Sequence, residues 1–258
     1  MAFITVSDHS EVRVLTFARG KANAMNLAMV DELLEAVRHA AGDERVRAIV
    51  IASDRPGFFS AGFDVEEVFA YDRPAMSHFF AHFMDLFEAL IQMPKPVVGA
   101  ISGHAWAGGA FLALGMDVRI FGDGDFSFAL NEINFGAVLP AGIRRALIAV
   151  VGGREATRII LTGESVSPTH ALRFNLTDAV VPANEVLPRA LHVAHQLAEK
   201  PKSAFAYTKR ALQSDLGYPS EREDLTEFLD QWFSSDCVAK REALTAALKA
   251  KSGKKQAV

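Results

Sequence analysis

The segment Val46-Arg-Ala-Ile-Val-Ile-Ala-Ser53 limits the possible folds more than any other stretch of the chain. Its apolar residues run almost without interruption, where a strand with one wet face would alternate, so it predicts a strand buried on both faces. It lies in a first third of the chain that reads as alternating strands and helices. The flanking patterns fit that frame. Asn26 is placed to cap a helix whose Val30, Leu33, Leu34 and Val37 share one face and whose stop is Gly42. Residues 11–17 alternate apolar and polar and predict a half-exposed strand. Residues 96–102 and 117–121 predict two more strands with a short helix between them. Met76, Phe79, Phe80, Phe83, Phe87, Leu90 and Ile91 form an apolar stripe at helical spacing, ended by Pro94. A stripe of this kind can line a ligand tunnel, but core packing is its commoner use.

Beyond Gly136 the pattern turns almost wholly helical. Residues 142–151 and 154–161 predict short helices, and Asn184 opens one carrying Leu187, Leu191, Ala194 and Leu197. Ser220 with Glu223 reads as a capping box ahead of Leu225, Phe228, Leu229, Trp232 and Phe233. A last helix is expected over 238–248, with 251–258 as a frayed tail. No Pro/Ser/Gly linker divides the 258 residues. Broad apolar faces on such an appendage need a surface to cover them, and a second subunit is one candidate.

Composition removes several functions. A net charge of −4 argues against a nucleic-acid or anionic-membrane surface as the main partner. The single cysteine, Cys237, rules out an internal disulfide and a cysteine-rich metal site, and it reads as a packed helix residue. The first residues lack the basic segment and apolar run of a secretory signal, no apolar run reaches the ~20 residues of a membrane span, and the final Gln-Ala-Val is not a peroxisomal address. A cytoplasmic protein without a membrane partner is expected.

Chemistry concentrates in two glycine-rich turns and one acid. Phe58-Phe-Ser-Ala-Gly-Phe-Asp64 follows the buried strand, and Asp64 opens a short helix through Val65, Val68 and Phe69. Gly103-His-Ala-Trp-Ala-Gly-Gly-Ala110 likewise joins a strand to a helix. Glycine lets a ligand approach the backbone, and first-turn amides have no partner inside their own helix. Either turn alone is as readily a capped helix or a close helix–strand contact. Two of them can converge their amides on one oxyanion, and Glu132, in Leu-Asn-Glu-Ile-Asn-Phe-Gly136, can move a proton beside it. Other chemistries fail on spacing. Neither turn is G-x-G-x-x-G or a P-loop, Ser60 is not in G-x-S-x-G, and no histidine pair has H-E-x-x-H spacing. His104 reads as structural, and Asp123-Gly-Asp125 has too few carboxylates for calcium.

With these residues in order, the chain resembles the crotonase superfamily, the enoyl-CoA hydratases and isomerases. Phe59-Ser-Ala-Gly-Phe-Asp64, Gly103–Ala110 and Asn131–Gly136 match its motifs, and Arg19-Gly-Lys-Ala-Asn-Ala-Met25 resembles its first CoA-binding segment. The resemblance spans about residues 3 to 250 and implies an α/β fold, a spiral of ββα units over 1–195 with a helical region over 196–258 that drives trimer formation. It implies a homotrimer or hexamer, an acyl-CoA thioester substrate, and no metal or cofactor beyond the CoA that the substrate carries. It places the oxyanion amides at Phe63 and Gly108 and the acid at Glu132. Substrate or CoA contacts fall on Lys21, Ala22, Ala24, Ala61, Gly62, Phe63, Asp64, Trp106, Gly108, Phe111 and Asn131. Family hydratases carry a second glutamate where this chain has Phe111, so hydration should be poor. What remains resembles the single-glutamate Δ3,Δ2-enoyl-CoA isomerases of fatty acid metabolism, and the Leu-Asn-Glu and Phe233-Ser-Ser-Asp236 stretches point the same way. A weak hydratase, a single-acid relative that decarboxylates or forms C–C bonds, and a non-catalytic CoA-thioester binder stay open.

Overall fold

The doubly buried strand is present as β3 (Ala48–Ser53) in the computed structural model, which describes residues 2–218 and 224–255. Its side chains sort by size. Ile49 and Ile51 enter one hydrophobic cluster, while Ala48, Val50 and Ala52 enter another on the opposite face.

The chain order is β1 (Ile4–His9), β2 (Val12–Phe17), α1 (Leu27–Gly42), β3, β4 (Phe58–Ser60), α2 (Val65–Val68), α3 (Arg73–Ile91), β5 (Val97–Ile101), β6 (His104–Trp106), α4 (Gly108–Leu114), β7 (Val118–Asp123) and β8 (Phe128–Ala129). A 3-10 turn (Glu132–Phe135) leads to α5 (Ala141–Thr162), β9 (Ser165–Val166), α6 (Pro168–Arg173), β10 (Ala179–Pro182), α7 (Val186–Ala198), α8 (Lys202–Asp215), α9 (Asp224–Trp232) and α10 (Ser235–Lys255). The larger sheet runs β1-β2-β3-β5-β7-β10, and the smaller one β4-β6-β8-β9. β2, β3, β5, β7 and β10 are parallel, as are β4, β6 and β8. The chain therefore visits the large sheet, the small sheet and a helical segment three times in succession. This is the expected spiral of ββα units. No helix among the described residues is long and apolar enough to cross a membrane.

The aromatic stripe is core. Phe79, Phe80, Phe83 and Phe87 on α3 are all buried, and full burial of each contributes about 2 kcal/mol. Stacking of Phe80 on Phe228, with ring centroids 3.7 Å apart, fixes α9 against α3.

Several sequence expectations need correction. The strand expected to be half-exposed, β2, is buried along nearly its whole length, because Leu15 and Phe17 pack into one hydrophobic cluster, Val12 and Val14 into the other, and its arginine is paired. Arg13 bonds Asp8 at 2.7 Å and Asp43 at 3.2 Å and also meets His39. On α7 the fully buried residues are Val186, Ala190, Ala194 and Ala198, of which only Ala194 was anticipated, while the expected Leu191 and Leu197 pack half-buried at their margin. The small residues fit the small-residue side of the large sheet, and Leu187 is left exposed. The last helix continues to Lys255, through most of the expected tail. The two helices expected at 142–151 and 154–161 are present as the two halves of α5, separated where Gly152 leaves helical geometry (φ 77°, ψ 161°). Six strands, β1, β4, β6, β8, β9 and β10, had not been anticipated. Ser220 and Glu223, the expected capping box, lie outside the described residues.

Candidate active site

Three parallel strands of the small sheet aim their carboxyl ends at one edge, and each delivers one expected site residue. Phe63 comes three residues after β4, Gly108 two after β6, and Glu132 three after β8. The carboxyl edge of parallel strands is where ligands bind in open α/β sheets.

The first turn is held by the segment before α1. Ala61 N–H donates to Ala22 O (2.9 Å), Met25 N–H to Gly62 O (2.7 Å), and Asp64 N–H to Met25 O (2.8 Å). Met25 and Phe63 thus form a parallel bridge in which Met25 uses both flanking groups, leaving the Phe63 N–H on the opposite side without an acceptor among the described residues. Below it lies a buried polar knot. Asn23 donates to Ser53 Oγ and Phe59 O, Ser60 Oγ donates to Asn23 O at 2.7 Å, and Gly62 N–H donates back to Ser60 Oγ. Asp64 caps α2 through Oδ1 and pairs with Arg19 through Oδ2 at 2.7 Å.

The two turns touch. At Gly62, with φ 92°, a Cβ would stand 2.9 Å from Trp106 O and 3.2 Å from Gly108 N. At Gly108 a Cβ would stand 2.7 Å from Phe63 Cε1, so the phenyl ring lies directly over this glycine. Gly108 opens α4, where its N–H has no acceptor within the helix. The residue before it, Ala107, holds φ 46° and ψ −120°, a strained conformation for alanine that sets the direction of the Gly108 amide. Its own N–H donates to Ala129 O at 2.8 Å, which ties this turn to the strand leading to Glu132.

Aromatic rings wall the site. Phe63 meets Phe79 and Phe83 edge-on at 4.8 and 4.9 Å, and Phe83 meets Phe111 at 6.0 Å. Phe111, one turn into α4, is buried. Glu132 is only 5% exposed, and its Oε2 has no hydrogen-bond partner among the described residues. Burial pushes its carboxyl up to about 8, and only its own backbone N–H pulls the other way. The neighbouring Asn131 Oδ1 is also buried without a partner.

The expected residues divide by role. Ala22, Ala24, Ala61, Gly62, Phe63, Asp64 and Gly108 belong to two turns in contact, and Lys21 is exposed at their rim. Trp106 adjoins them through its carbonyl, while its indole bonds Ser127 Oγ and packs against Phe58 and His104. His104 is structural, as expected: its Nδ1 accepts from the Ser127 amide. Sequence reasoning missed Asn23, Ser60 and Ala107. A lone polar residue or alanine carries no pattern that announces a buried knot or a positive φ.

A sequence profile of the enoyl-CoA hydratase/isomerase family matches residues 7–246. Enoyl-CoA delta isomerase 1, mitochondrial, from Homo sapiens is 30% identical over 203 residues, which cover 78% of this chain and 67% of that protein. The 2,3-dehydroadipyl-CoA hydratase of Escherichia coli K12 is 32% identical over 214 residues, covering 83% and 82%. The crystal structure of human mitochondrial delta3-delta2-enoyl-CoA isomerase superposes with a TM-score of 0.92 at 27% identity, covering 96% of this chain and 99% of that one.

Proposed function

This chain belongs to the enoyl-CoA hydratase/isomerase family, and from that premise we propose that it is an isomerase moving the double bond of a 3-enoyl-CoA to the 2-position. Ionised Glu132 removes a proton from C2 of the thioester. The electron pair delocalises onto the thioester oxygen, which the amides of Phe63 and Gly108 stabilise as an enolate. Protonated Glu132 then returns the proton to C4, the C2–C3 double bond forms, and the enolate collapses to the thioester. Proton and charge balance without a metal or redox group, and CoA enters only as part of the substrate. Lys21, exposed beside Ala22, is read as a contact to the CoA portion of the substrate.

The observation that carries this reading is the isolation of Glu132. Its raised pKa traces to burial rather than to a neighbouring charge, whereas a water-activating pair of carboxylates would raise each other. A benzyl group, Phe111, stands where the second acid is expected. A weak hydratase is the second reading, favoured by the similarity to the E. coli hydratase and by the unpartnered Asn131 Oδ1, which can hold a water.

The test is turnover of a 3-enoyl-CoA beside a 2-enoyl-CoA, for the unaltered protein and Glu132→Gln. Isomerisation that disappears in the variant, with little hydration, supports the proposal. Fast hydration favours the second reading, and silence on both substrates sinks both. We also propose assembly as a homotrimer or hexamer, which the mass of the particle in solution checks, and a cytoplasmic setting, which cell fractionation checks.

A further inference from the structure

Arg241 on α10 has no part in the proton transfer, yet it is almost fully buried, at 5% exposure. Among the described residues no carboxylate lies within ion-pair distance of it. The guanidinium sits in an aromatic box instead, 4.3 Å from the Trp232 ring, 5.4 Å from Phe69 and 5.9 Å from Phe233. It donates to Trp232 O at 3.0 Å and Phe69 O at 3.4 Å and interacts with the Cys237 thiol, while its Nε has no hydrogen-bond partner among the described residues. A side chain with only a packing role is better served there by an apolar residue, since burying a cation without a counter-ion is costly.

The two carbonyls it joins lie outside the site, one next to each of the segments that bear its groups. Phe69 caps the end of α2, the single helical turn that begins just after the Phe63 amide. Trp232 ends α9, and its ring meets Phe135 at 6.4 Å, in the 3-10 turn that begins with Glu132. Phe69 also meets Phe135 at 6.2 Å and Trp232 at 5.3 Å, so three rings form a closed triangle under the guanidinium. The same turn is held from behind. Gln231 Nε2 donates to Gly136 O at 2.8 Å, and a Cβ at Gly136 would stand 3.0 Å from Cys237 Cα.

We propose that Arg241 is a positioning residue that locks the turn bearing the Phe63 amide to the turn bearing Glu132, setting the spacing of oxyanion donor and proton carrier from outside the site. This rests on the enolate reading above. A rival account exists, because Arg241 also borders an open groove between α2 and α10, lined by Val65, Glu66, Glu242 and Thr245. A substrate contact there would act on binding alone.

The experiment uses the full chain with Arg241→Met, which fills the box without charge or donors, and Arg241→Lys, which keeps a cation and one donor. Values of kcat and KM for a 3-enoyl-CoA are taken between about pH 5 and pH 9, with the folded fraction measured at each pH. For Arg241→Met the expected result is a fall in kcat of about tenfold to a hundredfold, the scale of a small misplacement, with KM within about threefold. The ionisation seen in kcat should move to lower pH as water reaches Glu132, and Arg241→Lys should recover part of both changes. An unchanged kcat, a rise in KM alone, or a fall matching only lost folded protein overturns the proposal. If the unaltered protein does not isomerise, the parent reading fails, and the brace is read from stability instead. The pH dependence of the stability difference between the parent and Glu132→Gln is then measured with and without Arg241→Met, or Arg241→Lys should the methionine variant not fold. A brace makes that dependence shallower in the variant, and equal dependence overturns it.

Discussion

Replacing Glu132 with glutamine should make the protein more stable at high pH, and the size of the gain follows from the burial of the carboxyl. Its pKa rises from 4.5 to about 8 because the charged form is desolvated. Between those values the folded protein keeps a proton that the unfolded chain has released, so stability falls as pH rises. The stabilising difference is fully present below about pH 4.5, declines by about 1.4 kcal/mol per pH unit, and is gone above about pH 8. Over the whole interval the loss is roughly 5 kcal/mol. Glutamine resembles the protonated acid in shape and does not titrate, so Glu132→Gln should escape this loss. Urea denaturation at several pH values, at one protein concentration, reads the difference, and Trp232, buried between Phe69, Phe135 and Arg241 of α10, supplies a fluorescence signal. A stability difference between parent and variant that stays flat from about pH 5 to pH 9 would refute the reasoning, because Glu132 would then have reached water or a partner.

Three further outcomes are expected. Gly108→Ala places a methyl 2.7 Å from the Phe63 ring, so it should lower kcat by about a hundredfold or more, as loss of one oxyanion donor does, and cost about 1–3 kcal/mol in denaturation. Phe111→Glu adds a second acid to the apolar wall beside Phe83; the ratio of hydration to isomerisation in parallel assays should rise, and the melting temperature should fall. Lys209→Met breaks a buried pair with Asp117 (2.7 Å), with Lys209 at 6% exposure. It should cost about 3 kcal/mol of stability, by denaturant titration, because the aspartate loses its counter-ion, while kcat of the folded protein is unchanged.

How far the sequence could be read depended on whether a residue's role was periodic. The β3 strand, the α1 cap at Asn26 and the α3 phenylalanine face were legible because burial imposes a repeat. The α7 face was misread because leucine usually marks the buried side, yet here a sheet face lined with alanine and valine admits only a small-residue helix surface. β6 and β8, of three and two residues, were illegible, since so short a strand shows no alternation. Those two strands nevertheless carry Gly108 and Glu132 to the same edge. The candidate site was read from its glycines and its acid, while the supports of its turns came only from the fold: Asn23 and Ser60 under one turn, Arg241 and Gln231 behind the other.

The absence of a charged neighbour at Glu132 suits a base that must soon become an acid. With a pKa of about 8, about one tenth of the protein carries the ionised form at neutral pH, so kcat should rise with pH until about pH 8. That tenfold limitation has a counterpart. A carboxylate at its ordinary pKa would be ionised but a weak base toward a carbon acid, and one raised much further would hold the proton too firmly to return it. A single residue that takes a proton from C2 and gives it to C4 serves both steps best when its pKa lies near the working pH. In the proposed mechanism Phe111 and the rings it packs with on α3 keep the pocket apolar, while the amides of Phe63 and Gly108 would stabilise the enolate without adding a second titrating group. A carboxylate at position 111 would disturb both conditions together, which is why its effect on the product ratio tests the arrangement as a whole.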